Sequence, residues 1–151
     1  MSASEVLLVQ GLSISISNTE VTELNPSPEP LSELLDCIGR EIQYQGGTAT
    51  EIDVTTFCST AKEFRLGLED SGTMSVTGHW LIGNPAHDVI RAAASDKLTR
   101  LIVVTFEDGS VFKCLAFVAQ RSWTAAVDGV VTASYSFRLT GPTEEVDPPA
   151  P

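Results

Sequence analysis

The sequence predicts a mainly β fold with one helix. Between Leu98 and Gly141, apolar and polar residues alternate with a period of two, as in strands of a sheet with one buried and one solvated face. Two Asp-Gly pairs, at 108–109 and 128–129, separate the strands of this stretch, and the first favours a tight hairpin because both residues tolerate positive φ. Firm helical spacing occurs in one segment, after Pro85.

Length and charge limit the classes of protein that fit. A chain of 151 residues is most economically one domain, which removes roughly 70% of its unfolded surface from water. The formal net charge of −11, from 20 acidic and 9 basic side chains, argues against tight binding of nucleic acid phosphates. An acidic surface keeps a protein soluble, and it is also a surface that DNA can pass without binding. Both explanations of the charge are open at this level.

Reactive side chains form no recognisable catalytic or metal site. The cysteines, Cys37, Cys58 and Cys114, are far apart and include no Cys-x-x-Cys pair, so we expect neither a zinc site nor a disulfide framework. A glycine-rich phosphate loop is absent from the sequence, and nothing beside His79 or His87 marks a nucleophile. We therefore expect no enzyme activity, no catalytic or metal-binding residues and no cofactor.

The amino terminus resembles neither a signal peptide nor a membrane span. Residues 1–10 lack a basic start and contain only the short apolar run Val6–Val9. We expect a soluble protein that is made in the cytoplasm.

The first 54 residues contain short elements separated by turns. They first predict a strand with Leu12, Ile14 and Ile16, followed by a proline-rich loop at Asn25–Pro30. A short helical turn with Leu31, Leu34, Leu35 and Ile38 then leads into a strand with Ile42 and Tyr44. A turn at Gly46-Gly47 precedes a last strand with Ile52 and Val54.

The alternation is lost between Thr55 and Gly72, which we predict to be a long loop. Loops of this length in compact domains are usually functional or disordered. The apolar residues Phe57, Phe64, Leu66 and Leu68 argue against simple disorder. The loop either folds back over its own core or, if it is exposed, needs a second surface to cover these side chains.

A strand and a helix follow the loop. Thr73–Trp80 alternates, with Met74, Val76 and Trp80 on one side and Thr73, Ser75, Thr77 and His79 on the other. Trp80 and Trp123 could stack on a sugar, but the alternation around Trp80 favours a place in the core. Asn84 is a suitable helix cap and Pro85 a suitable first helical residue. The predicted apolar stripe consists of Ala86, Val89, Ile90, Ala93 and Ala94, and the opposite face of His87, Asp88, Arg91 and Ser95.

The last predicted strand has the clearest two faces in the chain. A wider connection from Gln120 to Gly129 precedes it, and its polar side consists of Thr132, Ser134, Ser136, Arg138 and Thr140. We expect the strand to end at Gly141 and residues 142–151, with four prolines and three acids, to form a disordered tail. The predicted single domain is therefore residues 1–141.

The order of elements resembles that of the major tail tube protein of long-tailed, non-contractile bacteriophages. Three segments carry the resemblance: Asp53-Val54-Thr55-Thr56 with Ser59-Thr60-Ala61-Lys62-Glu63, then Gly67 to Thr73, and the closing strand Val131 to Gly141. It covers roughly residues 45–141. The first 40 residues are not matched, and no carboxy-terminal immunoglobulin-like domain, which some members of that family have, follows Gly141.

This resemblance implies a fold and an assembly. The family fold is two packed antiparallel sheets, a barrel-like β-sandwich with one flanking helix, and its members form hexameric rings that stack into a hollow tube for DNA. The implied roles are an inter-ring stacking loop (Phe57, Lys62, Glu63, Phe64, Arg65, Leu66 and Leu68), a lumen or subunit-seam face on strands 73–80 and 130–140 (Thr73, Ser75, Thr77, Thr132, Ser134, Ser136 and Arg138), and helix packing through Val89, Ile90 and Ala93.

The resemblance also implies partners. They are other copies of the chain, the tape-measure, tail tip and tail terminator proteins, and phage DNA that passes without specific binding. No membrane is involved. The implied location of the assembled protein is the tail of the virion. Six chains would carry a charge of −66, six times −11, which would repel phosphate. Arg138 does not fit an acidic wall, and it either pairs with an acid across the subunit boundary or belongs to an outward face. The rival functions are a ring-forming tube protein of a bacterial secretion system and a monomeric β-sandwich binding module.

Overall fold

A computed structural model describes residues 11–26, 30–36 and 38–148 of the chain. The apolar run Val6–Val9, Cys37 and the last three residues of the predicted tail lie outside these ranges. Within them, the elements are β1 (Ser13–Ser17), β2 (Ser32–Leu34), β3 (Gly39–Gln45), β4 (Ala49–Asp53), β5 (Phe64–Glu69), β6 (Thr73–His79), α1 (Pro85–Asp96), β7 (Arg100–Thr105), β8 (Val111–Thr124) and β9 (Thr132–Val146).

Seven strands form one antiparallel sheet in the order β2-β1-β7-β8-β9-β6-β3. Its two edge strands, β2 and β3, are consecutive in the chain, and only residues 35–38 connect them. So short a connection can join opposite edges only if the sheet curls until these edges lie close together. The predicted mainly β, barrel-like class with a flanking helix is confirmed, and its two layers are the two halves of this single curled sheet.

The main core lies between the halves of the curled sheet. Ile16 of β1, Ile102 of β7, Met74 of β6 and Tyr135 of β9 belong to one buried cluster and are at most 1% exposed. The inner sides of β6 and β9 are the apolar sides that alternation predicts. Period-two patterning therefore identified the buried face of these strands correctly.

The segment between β1 and β3 differs from its prediction. Residues 32–34 form strand β2 against β1, where a short helical turn was expected. Leu35 donates its backbone N–H to the Ile14 carbonyl at 2.8 Å, and its own carbonyl accepts the Gly39 N–H at 2.8 Å where β3 begins. Leu35 and Ile38 are fully buried while Leu31 and Leu34 are exposed, so the helical spacing of these residues arises from a buried corner and an exposed strand.

Helix α1 has the predicted boundaries at its start. The side chain of Asn84 accepts a hydrogen bond from the Ala86 N–H at 2.9 Å, and Pro85 is the first helical residue. The helix ends at Lys97, whose left-handed backbone at φ 60° lets its N–H reach the Ala93 carbonyl. Ile90 and Ala93 are fully buried, and Val89 packs against the core at its margin.

The prediction that His87 lies on the solvent face of α1 is wrong. His87 is 1% exposed, and its Nδ1 lies 3.0 Å from the hydroxyl of Tyr135 on β9. Its ring also meets the Trp80 ring edge-on, with centroids 4.6 Å apart. A hydroxyl and an aromatic ring in the core give this polar residue a buried place that the helical stripe alone does not reveal.

The prediction that the last strand ends at Gly141 is also wrong. Strand β9 continues to Val146, and residues 143–146 pair with Val111–Cys114 of β8. Gly141 has φ +73°, and the register shifts beside it, since Leu115 pairs with Thr140 but Cys114 with Thr143. The glycine and Pro142 lie in a bulge between two paired parts of β9, not at the start of a tail.

Candidate assembly interfaces

A two-stranded hairpin projects from the curled sheet. Strands β4 and β5 pair with each other as a separate sheet, and neither makes substantial contact with another element of the described chain. The predicted loop 55–72 is therefore wrong in part, because Phe64–Glu69 is a strand. The alternation of Phe64, Leu66 and Leu68 was present in the sequence, but the polar residues before it concealed its start.

All seven residues predicted for the stacking loop are exposed. Phe57 is fully exposed at the hairpin tip, and Leu66 and Leu68 on β5 are 72% and 95% exposed. Ile52 and Val54 on the other arm add apolar surface. Together the exposed positions are Ile52, Val54, Phe57, Lys62, Glu63, Phe64, Arg65, Leu66 and Leu68. Neither arm of the hairpin is therefore covered by the rest of the described chain.

Hydrogen bonds within the hairpin tip hold it in shape. Asp53 accepts the Thr55 N–H at 2.9 Å, and this bond holds the pKa of its carboxyl below the usual range. The Glu63 N–H binds the Thr55 hydroxyl at 2.8 Å, and the Glu63 carboxylate accepts the Ser59 hydroxyl at 2.9 Å. Glu63, predicted as a stacking residue, therefore also fixes the turn that presents Phe57.

The residues predicted for a lumen or seam share one face of the main sheet. Thr73, Ser75 and Thr77 of β6 stand directly opposite Arg138, Ser136 and Ser134 of β9. Directly opposed residues of antiparallel strands project to the same side. The register extends this surface, here called the polar face, to neighbouring strands: Glu41, Gln43 and Gln45 on β3, and Phe117, Gln120, Ser122 and Thr124 on β8.

The polar face carries little charge of either sign. Its ionisable residues are Glu41, His79 and Arg138. Arg138 forms an ion pair with Asp70 of the same chain, a partner that neither of the two sequence-based alternatives included. Bonds from the Gly72 N–H and from Arg138 hold the pKa of the Asp70 carboxyl below its usual range. The face is therefore polar but nearly neutral, not acidic as the net charge suggested.

Two strand edges beside the polar face have no backbone partner in the described part of the chain. Strand β3 pairs on one side only, with β6. Strand β8 pairs with β7 over Val111–Ala116, so that its remainder, residues 117–124, pairs only with β9. Four strands, β8-β9-β6-β3, thus form a sheet whose two outer edges are open, and open edges are templates for strand pairing with another chain.

The chain matches the phage tail tube protein family over residues 33–145, about three-quarters of its length. It belongs to this family. The tail tube fold also appears in solved structures. The tail tube of SPP1 has 12% identity and a TM-score of 0.70 over 93% of this chain and 79% of that chain.

Two further assemblies contain similar folds. The tail of a gene transfer agent particle, refined with helical and C6 symmetry, has 15% identity and a TM-score of 0.69 over 94% of this chain and 100% of that chain. A sheath–tube terminator structure of an extracellular contractile injection system has 7% identity and a TM-score of 0.66 over 97% and 100%. At these identities the likeness shows the fold alone. No curated protein matches the chain by sequence.

The tail tube chain shows no metal cluster among its described residues. Within the same residues, none of the helices has the length and hydrophobicity to span a membrane. Of the two cysteines described, Cys58 is exposed at the hairpin tip and Cys114 is buried, and burial raises the pKa of the Cys114 thiol to about 12.

Sequence reasoning missed the outer strands of the polar face. Gln43 and Gln45 alternate with Ile42 and Tyr44, and Gln120, Ser122 and Thr124 alternate with Arg121 and Trp123. The first alternation was recognised as a strand without an assigned face, and the second was taken for a connection because the strand contains a bulge between Val118 and Gln120.

Proposed function

We propose that six copies of this chain form a ring, and that rings stack into the hollow tail tube of a phage. Membership of the tail tube family gives the structural role, and the C6 symmetry of the similar gene transfer agent tail supports the number six. The observation that carries the stacking is the projecting hairpin β4–β5. Both of its faces carry exposed apolar side chains, because Phe64 and Leu66 stand opposite Asp53 and Glu51 whereas Ile52 stands opposite Arg65. Exposed apolar surface of this extent on a folded chain marks a surface that another protein covers.

Energetics favour stacking of whole rings over pairing of single subunits. Full burial of an apolar side chain stabilises by about 1.5–3 kcal/mol, so Phe57, Phe64, Leu66 and Leu68 together offer about 6–12 kcal/mol at most. Association of two bodies costs an estimated 4–15 kcal/mol in lost freedom. Burial of one hairpin barely offsets this loss of freedom. Two rings lose that freedom only once when they associate, but they bury six hairpins.

The open edges of β3 and β8 suit ring closure. In a ring, β3 of one subunit would add to residues 117–124 of β8 in its neighbour, and the four-stranded sheets of six subunits would give a wall of 24 strands. A closed ring removes both open edges, which otherwise invite uncontrolled pairing.

The polar face is our candidate for the lumen wall. Its hydroxyl and amide groups are hydrated, and its cation Arg138 is neutralised by Asp70. Nucleic acid is held chiefly by Lys and Arg side chains that displace counterions from phosphates. A wall without unpaired cations would let DNA pass without binding.

The remaining parts of the proposal follow from this role. We expect contacts with the tape-measure, tail tip and tail terminator proteins, synthesis in the host cytoplasm, assembly into the virion, and no catalysis. A tube in a secretion system remains the runner-up, supported by the shared fold of the injection-system structure. A monomeric binding module is disfavoured by the uncovered hairpin.

Replacing the hairpin's apolar side chains tests the stacking. In the triple variant Phe57→Ser, Leu66→Ser, Leu68→Ser the domain should stay folded, because these side chains are exposed, but filaments should no longer form. The matched control is Leu31→Ser, which removes an 81% exposed leucine outside the hairpin. Circular dichroism reports folding, and sedimentation with electron microscopy reports assembly. Filaments from the triple variant equal to those of the control would contradict the role of the hairpin.

A further inference from the structure

The four strands of the polar face have two distinct ends. At one end, Gln45 of β3 and Thr73 of β6 are paired, and the hairpin leaves the sheet between them. At the other end, His79 of β6 pairs with Thr132 of β9, which also pairs with Thr124 of β8. The β6–α1 and β8–β9 connections emerge there. Hairpin and connections thus lie at opposite ends of the same strands.

The end opposite the hairpin carries a second exposed apolar surface. We call it the distal patch, and its residues are Leu81, Ile82, Trp123, Val127 and Val130. Val127 is fully exposed, and Trp123 is 58% exposed. Trp80 joins the parts of the patch, since it borders one cleft with Trp123 and another with Leu81 and Ile82. Trp80 therefore links the β6–α1 connection to Trp123, while Val127 and Val130 are exposed on the β8–β9 connection at the same end of the strands.

Charges beside the two surfaces are complementary in part, since two cations border the distal patch and one acid, Asp128, lies between Val127 and Val130. The cleft next to Trp123, between the end of α1 and β8, is bordered by the cationic Lys97 and Arg121. Arg121 lies over the Trp80 ring, 5.5 Å from its centroid. The hairpin has two more acids than bases, with Glu51, Asp53, Glu63 and Glu69 against Lys62 and Arg65.

We propose that the distal patch is the socket for the hairpin of a second copy of this chain in the next ring. The inference rests on the proposed stacking and names the surface that receives the hairpin. The hairpin and the distal patch lie at opposite ends of the strands. A second copy displaced along the strand direction can therefore place its distal patch against the hairpin of the first copy. This contact is heterologous, so it repeats without limit along one axis and builds a tube of undefined length.

Crosslinking in the full-length protein tests the contact. Cys58 is a natural exposed thiol beside Phe57, and Val127→Cys adds an exposed thiol to the distal patch. A short bis-maleimide should then link Cys58 to the introduced thiol of another chain, and peptide mass spectrometry identifies the linked pair. The control is Glu23→Cys, an exposed position outside both surfaces. We expect the amount of crosslinked oligomer to be roughly tenfold higher for Val127→Cys than for Glu23→Cys, because contact raises the effective concentration of the thiols.

A second variant tests the distal patch without relying on crosslinking. Val127→Glu with Val130→Glu places charge on the patch and should raise the critical concentration for filament formation roughly tenfold, which corresponds to a tenfold lower association constant and lowers the filament yield. Leu31→Glu is the matched control and should leave the yield unchanged. Rings should persist in the patch variant, because the strand edges that close them are intact.

The outcomes separate this inference from the proposed function. Filaments that show neither the Cys58 linkage nor sensitivity to the patch charges would overturn the socket and leave the tube standing. Linkage within one chain would also overturn it, since it would put both surfaces at the same end. A wild-type protein that forms no filaments with tail tip protein present would overturn both.

Discussion

At the scale of single residues, the least expected feature is the buried pair of His87 and Tyr135. Burial, together with nearby Arg121 and Arg91, lowers the pKa of His87, while Asp88 opposes this effect. Its Nε2 is buried and has no hydrogen-bond partner among the described residues. The folded protein therefore favours the neutral imidazole.

This environment predicts loss of stability in mild acid. The unfolded chain binds a proton at His87 near the ordinary pKa of 6.5, while the folded chain resists protonation to lower pH. The neutral His87 therefore stabilises the folded chain fully above pH 6.5. This stabilisation is lost as the pH falls from the pKa of His87 in the unfolded chain to its lower pKa in the folded chain. The unfolding free energy, measured in urea between pH 7 and 5, should fall in wild type and fall less in His87→Gln. Parallel curves for the two proteins would refute the assignment.

Gly78 is a position where no side chain fits. A Cβ there would lie 1.8 Å from the Ile38 carbonyl oxygen, which accepts the His79 N–H at 2.7 Å where residues 35–38 join β3. We expect Gly78→Ala to destabilise by about 1–3 kcal/mol, as for other overpacked sites. Gly83→Ala, which meets nothing within 4 Å, should change stability by less than about 1 kcal/mol. Equal midpoints in urea for these two variants would contradict the close approach.

At the scale of elements, α1 stabilises the barrel and the hairpin does not. The helix packs against β8, β1 and β2, whereas the hairpin strands contact chiefly each other. We expect Ile90→Ala to cost about 2–5 kcal/mol, because Ile90 is fully buried, and Arg91→Ala to cost under about 1 kcal/mol, since its ion pair with Asp88 is half exposed. Urea unfolding of both variants checks this, and a cost for Ile90→Ala as small as that of Arg91→Ala would show that α1 is not part of the core.

Prediction from sequence succeeded for the elements whose buried face is continuous. Period-two alternation located β6 and the first part of β9, and the cap with Pro85 located α1. It failed for β5, since a hairpin without a buried face leaves only a short alternation beside polar residues. It failed at Pro142, because proline and acids favour a tail unless a bulge lets the strand continue. His87 was missed because its partner Tyr135 is 48 residues away in the chain.

At the scale of the whole molecule, four surfaces suit three different contacts. The hairpin and the distal patch lie at opposite ends of the polar sheet, the open edges flank it, and the polar face is nearly neutral. The overlap lies in residues 117–124 of β8, whose backbone forms an open edge while Trp123 belongs to the distal patch and Gln120, Ser122 and Thr124 to the polar face. Side-chain mutations outside this segment should therefore affect one contact and leave the others intact.

Cryo-electron microscopy of filaments assembled from the full chain tests the tube most directly. We expect hollow, six-fold filaments in which Ser75, Ser134 and Ser136 line the lumen and each hairpin contacts the next ring. A protein that stays monomeric with tail tip protein present, or a filament whose polar face lies on the outer surface, would contradict the account.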